Sequence, residues 1–220
     1  MQHSPPSARM RVQRRSDRGA YDSKTIYAIL DEGLVCHVGF VTDGQPFVLP
    51  VTYVRVEDQL YIHGSATNRM LNSLRDGAAV CVTVTLLDGI VLARSAFKHS
   101  MNYRSVVVLG EARAVTEPSE KSRIMSCLVE HVMPGRWPQI RAPNEKELAA
   151  TLVLALRITE ASAKIRKGPP VDDPTDYGLG VWAGELPLRL HPLAPVRDPK
   201  LEPTVETPDQ LLNYRRDSAL

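Results

Sequence analysis

The 220-residue sequence predicts a mainly β protein, a closed antiparallel barrel with helices inserted between its strands. Three observations carry this reading. At least six strand-like runs are separated by regular turn signals. Helical stretches are few, and they sit where insertions would sit, not where crossovers would. Neither a Gly-x-Gly-x-x-Gly nor a Gly-x-x-x-x-Gly-Lys-Ser/Thr loop is present, so a nucleotide bound here would not use a Rossmann or P-loop device.

Each element has a local cause. Asp22 or Ser23 caps a first helix, Ile26, Ile29 and Leu30 share its apolar face, and Gly33 ends it. The β-branched run 34–42 is a strand, Asp43-Gly44 is a hairpin signal, and 47–56 returns. Glu57-Asp58 turns the chain into 60–63, which completes a meander. Residues 67–75 form a short helix with Met70, Leu71 and Leu74 on one side, stopped by Gly77. Strands resume over 78–87, turn at Asp88-Gly89 and continue through 90–93; another runs over 105–115. Pro118 opens a helix to about His131, striped by Ile124, Leu128 and Val132. A loop over 133–143 and a short helix at 144–148 precede a last long strand, 151–165.

Bulk composition narrows the function. Lys and Arg number 27 against 25 Asp and Glu, a net charge of +2 that makes no case for a nucleic-acid or membrane-surface role. No apolar run reaches the ~20 residues needed to cross a bilayer. The first twenty residues hold Arg11, Arg14, Arg15 and Arg18 but no secretory apolar core, so 1–20 is expected to be a disordered basic tail and the protein cytoplasmic. Cys36, Cys81 and Cys127 match neither a metal knuckle nor a disulfide framework and are expected as small hydrophobes in a reducing compartment. The barrel domain is expected over 21–190, including a Pro-rich extension from Gly168, with a flexible tail over 191–220.

Four segments could carry chemistry. His63, Gly64, Ser65, Ala66, Thr67, Asn68 and Arg69 join a strand to a helix start, where a hydroxyl and a planar cation suit a phosphate monoester or merely cap the helix. Asn102, Tyr103, Arg104 and Ser105 open a strand; a second cation there would complete a site for a dianionic phosphate, if Arg69 and Arg104 converge at the barrel rim. The run Phe47, Val48, Leu49, Pro50, Val51, Thr52 and Tyr53 contains a proline that marks an edge or bulge, where free main-chain groups can meet a planar heterocycle. Trp182, between Gly180 and Gly184, suits stacking on a ring system or a dimer interface.

In this order and spacing the four segments resemble the pyridoxamine 5'-phosphate oxidase-related split barrels that bind flavin mononucleotide (FMN), in particular the small flavin-nucleotide-binding and 5-nitroimidazole-resistance subgroup. The resemblance spans about Tyr21 to Ile165 and touches Trp182. It implies a six-stranded split barrel that forms a homodimer with two FMN sites at the interface, and redox chemistry on a small molecule. Carried over, Leu49, Pro50 and Val51 border the isoalloxazine, and His63, Gly64 and Ser65 lie beside the ring and ribityl chain. Thr67, Asn68 and Arg69 match the phosphate step, with one cation where the oxidases have two. Tyr103, Arg104 and Ser105 meet the cofactor, and Trp182 approaches it from one subunit. Arg189-Leu190-His191 only partly matches the element that grips vitamin B6, which argues against that substrate. His63 is the candidate for proton transfer. Two rivals stand beside the oxidoreductase: a flavin binder without turnover, and a haem-handling barrel with His63 or His99 as axial ligand.

Overall fold

The computed structural model describes residues 4–216. Among them lie the strands β1 (Gly19–Ala20), β2 (Val35–Thr42), β3 (Gln45–Val56), β4 (Gln59–Ser65), β5 (Asp76–Leu92), β6 (Ser100–Ala114), β7 (Thr151–Arg157), β8 (Glu160–Arg166) and β9 (Gly184–Pro187). The helices are α1 (Ser23–Glu32), α2 (Arg69–Leu74), α3 (Pro118–Val132), α4 (Glu145–Ala149) and α5 (Asp209–Leu212). The strands follow the order β1-β8-β6-β7-β4-β3-β2-β5-β9, and a further β5–β6 pairing closes β2 to β7 into a ring. This is the expected six-stranded antiparallel split barrel.

Period-two alternation builds the barrel interior. Val38 and Phe40 of β2, Val80, Val82 and Val84 of β5, and Val106 and Val108 of β6 all face one core. Ile26, Ile29 and Leu30 of α1, and Met70, Leu71 and Leu74 of α2, pack into the same core. Ile124 and Leu128 of α3 cover the outer side of the sheet against Val54, Tyr61 and Val153. Cys36 is buried, and burial pushes its thiol up to about 12, so it behaves as the apolar filler expected. No helix among the described residues is long and apolar enough to cross a membrane.

Several boundaries moved, each for a reason outside the local sequence. The Asp88-Gly89 turn does not form: β5 runs through it with only a register shift. Here β9 lays its backbone alongside, so close that a Cβ on Gly89 would sit 3.1 Å from the Leu186 carbonyl oxygen. The 151–165 strand breaks at Ile158, whose N–H bonds the Asp58 carbonyl at 2.8 Å. The break lets β7 pair with β4 while β8 pairs with β6. β6 starts at Ser100, so Arg104 lies inside a strand and not at its start.

Each expected tail has anchored stretches. Met10 is buried, the Val12 N–H donates to Tyr21 Oη at 2.8 Å, and β1 pairs with β8. At the other end, Arg216 donates to the carbonyls of Asp31, Glu32 and His131, and Tyr214 Oη donates to Val132. This clasp satisfies carbonyls at the C-terminal ends of α1 and α3, which lack helical partners. The outermost parts of the two tail expectations, 1–3 and 217–220, lie outside the described residues.

The junction of α1 and β2 turns on Gly33. Tyr53 Oη donates to the Leu30 carbonyl at 2.5 Å inside the core. A Cβ on Gly33 would stand 2.6 Å from both Tyr53 Oη and Val84 Cγ1. Gly33→Ala is expected to cost about 2–4 kcal/mol, from overpacking plus the lost hydrogen bond. A urea midpoint equal to wild type would show that the junction relaxes freely.

His131 gives the fold a pH dependence. Its Nε2 must donate to the Gly33 carbonyl, 2.7 Å away, because a carbonyl only accepts. Burial lowers its pKa from 6.5; the Gly33 bond opposes this, Arg216 and Arg55 add to it, and Asp31 opposes it. The folded state therefore binds fewer protons than the unfolded state, and stability falls as pH drops below about 6.5. Thermal unfolding across that range should show the decline, and His131→Gln should flatten it.

Candidate functional site

β3 and β4 pair only from Tyr53↔Ile62 to Val56↔Gln59. Beyond that point β3 continues on β2 alone, from Gln45 to Thr52, and His63, Gly64 and Ser65 continue on β7 alone. The two strands part, and the cleft between them is edged by unpaired main-chain groups of β3. Pro50 sits on this free edge, where its missing N–H costs no ladder bond. Leu49 is exposed although its cross-strand partner Val38 is buried.

The start of α2 stands at the same opening. Ser65 and Thr67 hydroxyls meet at 2.9 Å, and Asn68 Oδ1 accepts from the Leu71 N–H at 3.1 Å, which makes Asn68 the helix cap. A Cβ on Gly64 would lie 3.0 Å from Leu71 Cδ1, so this close approach of β4 to α2 favours glycine. Arg69 is exposed, has no carboxylate partner among the described residues, and lies 5.2 Å over the Phe47 ring of β3. Phe47 in turn stacks on Phe40 at 5.5 Å. α2 is a six-residue helix, too short for a strong dipole, so the anion-seeking groups are Arg69 and the two hydroxyls.

His63 borders the split on β4. It is half-buried, and desolvation lowers its pKa, which keeps the imidazole neutral at pH 7. Its Nδ1 is buried without a hydrogen-bond partner. A neutral ring with an orphaned nitrogen beside free strand edges suits a polar heterocycle placed in the cleft. Leu49, Pro50, Val51 and Thr52 thus lie on the unpaired stretch of β3, and His63, Gly64, Ser65, Thr67, Asn68 and Arg69 lie on the parted end of β4 and the start of α2.

The remaining candidates do not join them. Arg104 is 7% exposed, and its guanidinium is held by Asp88, at 3.0 and 2.7 Å, and by Glu32, at 2.8 Å and through a second short contact. The two carboxylates raise its pKa and neutralise it. Arg104 faces Leu86 across the β5–β6 ladder, whereas Phe47, under Arg69, lies across from Phe40, next to the Gly39↔Cys81 pair. Strand rise puts these levels ~20 Å apart along β5. The two arginines do not converge, and the phosphate-anchoring role expected of Arg104 is replaced by a structural one. Tyr103 and Ser105 flank Arg104 on the other face of β6, where Ser105 Oγ donates to the Lys164 carbonyl at 3.3 Å. Trp182 is 67% exposed and rests against Gly184 at the edge of β9, which pairs with Gly89–Leu92 of β5, far from the split of its own chain.

Sequence reasoning missed the contact of Arg69 with the Phe47 ring and the two acceptors of Arg104. An acidic Asp88 between apolar strand residues was a signal for a buried cation, but Asp-Gly reads first as a turn. Among the described residues no group of three His, Cys, Asp or Glu side chains is placed to hold a metal ion.

Residues 22–165 match the family described as pyridoxamine 5'-phosphate oxidase. The chain belongs to this family. Two solved relatives of this pyridoxamine 5'-phosphate oxidase-family chain extend over nearly all of it. One is the flavocytochrome Anf3 of Azotobacter vinelandii, 40% identical with a TM-score of 0.91, covering 97% of this chain and 99% of its own. The other is an FAD and haem binding protein of Mycobacterium smegmatis, 35% identical with a TM-score of 0.85, covering 89% and 96%. A Bacteroides thetaiotaomicron protein assigned to 5-nitroimidazole antibiotic resistance shares the fold at 20% identity and a TM-score of 0.55, over 67% of this chain and 86% of its own. None of the curated proteins is significantly similar to the chain.

Proposed function

We propose that the chain is a redox flavoprotein of the flavocytochrome kind, with a flavin in the split between β3 and β4 and a haem on the same molecule. The observation that carries this is the similarity, over nearly its whole length, to a flavocytochrome and to an FAD and haem binding protein. The second of these favours FAD over the FMN that the sequence resemblance implied.

The cleft fits such a cofactor. Arg69, with the hydroxyls of Ser65 and Thr67, faces the phosphate, and the main-chain edge at Val48, Pro50 and Thr52 faces the ring. His63, held neutral, accepts or donates one hydrogen bond at the ring edge through its free Nδ1. A bound flavin exchanges one or two electrons and a haem exchanges one, so the pair suits electron transfer better than vitamin B6 oxidation.

The site is completed by a second copy of the chain. Val35, Val41 and Val48 are exposed on one barrel face, beside a groove of about 720 Å³ floored by Gly39, Cys81 and Leu109. The exposed valines, with Arg9, Glu111, Arg113 and Glu160 of both signs around the groove, support a symmetric partner on this face.

Purifying the protein, recording its absorbance and identifying released ligands by mass spectrometry tests the proposal. FAD and haem are the expected ligands. A colourless protein that gains neither spectrum when the cofactors are added would overturn it.

A further inference from the structure

The described histidines differ in what their rings already do. His131 spends Nε2 on Gly33, and its ring is tilted against that of Tyr53 with centroids 5.6 Å apart. His63 borders the flavin cleft. His99 is different: its Nδ1 lies 2.9 Å from the Ser95 carbonyl oxygen. A carbonyl only accepts, so Nδ1 carries a proton and Nε2 is the ring nitrogen left for another partner. His99 is exposed, and nothing among the described residues bonds Nε2. Histidines that ligate metals are held in this way, with one ring nitrogen fixed by a main-chain acceptor and the other presented to the metal.

The surface beside His99 is apolar and flat. Met101 follows two residues on, so extended backbone puts it on the same side. Ile90 lies opposite Met101 on β5, and Leu186 opposite Ile90 on β9. The three side chains form one row across three neighbouring strands, ~10 Å wide, about the breadth of a porphyrin ring. Met101 and Leu186 are both exposed, and Phe97, in the turn just before His99, is 87% exposed. Solvent-facing strand residues are usually polar; this row is not.

We propose that His99 is the axial haem ligand of this chain, with the Met101–Ile90–Leu186 row and Phe97 as the apolar bed beside it. This rests on the flavocytochrome reading above. It separates the two cofactors in space: the flavin lies at the β3–β4 split, and the haem at the β5–β6–β9 end of the barrel.

Titration of haem-free protein with hemin, followed by the Soret band, tests the assignment. Wild type should bind saturably, one haem per chain. His99→Ala should bind at least about tenfold more weakly, and added imidazole should restore the wild-type spectrum. Met101→Glu should weaken binding without changing the ligand signature, and His37→Ala, at an exposed position of β2, should keep both. Far-UV circular dichroism confirms that each variant is folded. A His99→Ala variant that binds hemin as wild type does would overturn the assignment while leaving the haem reading intact, and would make the apolar row a contact for a second copy. Absence of saturable binding in wild type would overturn both.

Discussion

Replacing Arg104 with leucine should destabilise the protein by about 3–5 kcal/mol, because Glu32, largely buried, and Asp88, partly buried, would lose the cation they share. For a chain of this size that is a fall in melting temperature of ~10 °C. Cofactor content per folded molecule should not change, since Arg104 lies far along β5 from the split. The comparison separates two roles: a phosphate anchor would lose flavin at constant stability, while a structural clamp loses stability at constant flavin. Differential scanning calorimetry with a flavin-to-protein absorbance ratio reads both. A variant with wild-type stability and emptied of flavin would restore the sequence-based role and remove the structural one.

Arg69→Ala should behave in the opposite way. Arg69 is exposed, and its visible contact is a ring face of Phe47 at 5.2 Å, worth about 0.5–1 kcal/mol. Its loss should leave the melting temperature close to wild type. A charged hydrogen bond to a phosphate contributes about 1.5–3 kcal/mol, so flavin affinity should fall ~10- to 100-fold. Arg69→Lys should recover part of it, as a point charge without the planar fork. High salt should weaken wild-type binding and affect the alanine variant less. Equal affinity in wild type and Arg69→Ala would move the phosphate away from α2.

The contrast between these two arginines shows how far the sequence could be read. Elements made by neighbours in the chain were legible: Asp22 caps α1, Gly33 ends it, Asp43-Gly44 turns β2 into β3, and Pro118 opens α3. The first cluster of the cleft was legible too, because Pro50 marks an edge by its own chemistry and Ser65, Thr67 and Arg69 lie within one short run. What could not be read depends on chain partners far away. Asp88-Gly89 failed as a turn because β9, from the C-terminal extension, binds its edge. Arg104 was misplaced because its two acceptors sit 16 and 72 positions from it. Both termini were taken as loose because low apolar content hides single anchors such as Met10 and Arg216.

The direct test of the cleft is an equilibrium titration of flavin-stripped protein with FAD, monitored by quenching of flavin fluorescence. The account predicts saturable quenching at one flavin per chain, tighter for FAD than for FMN and weakened by Arg69→Ala. Unquenched fluorescence throughout the titration, with the protein folded, would contradict it.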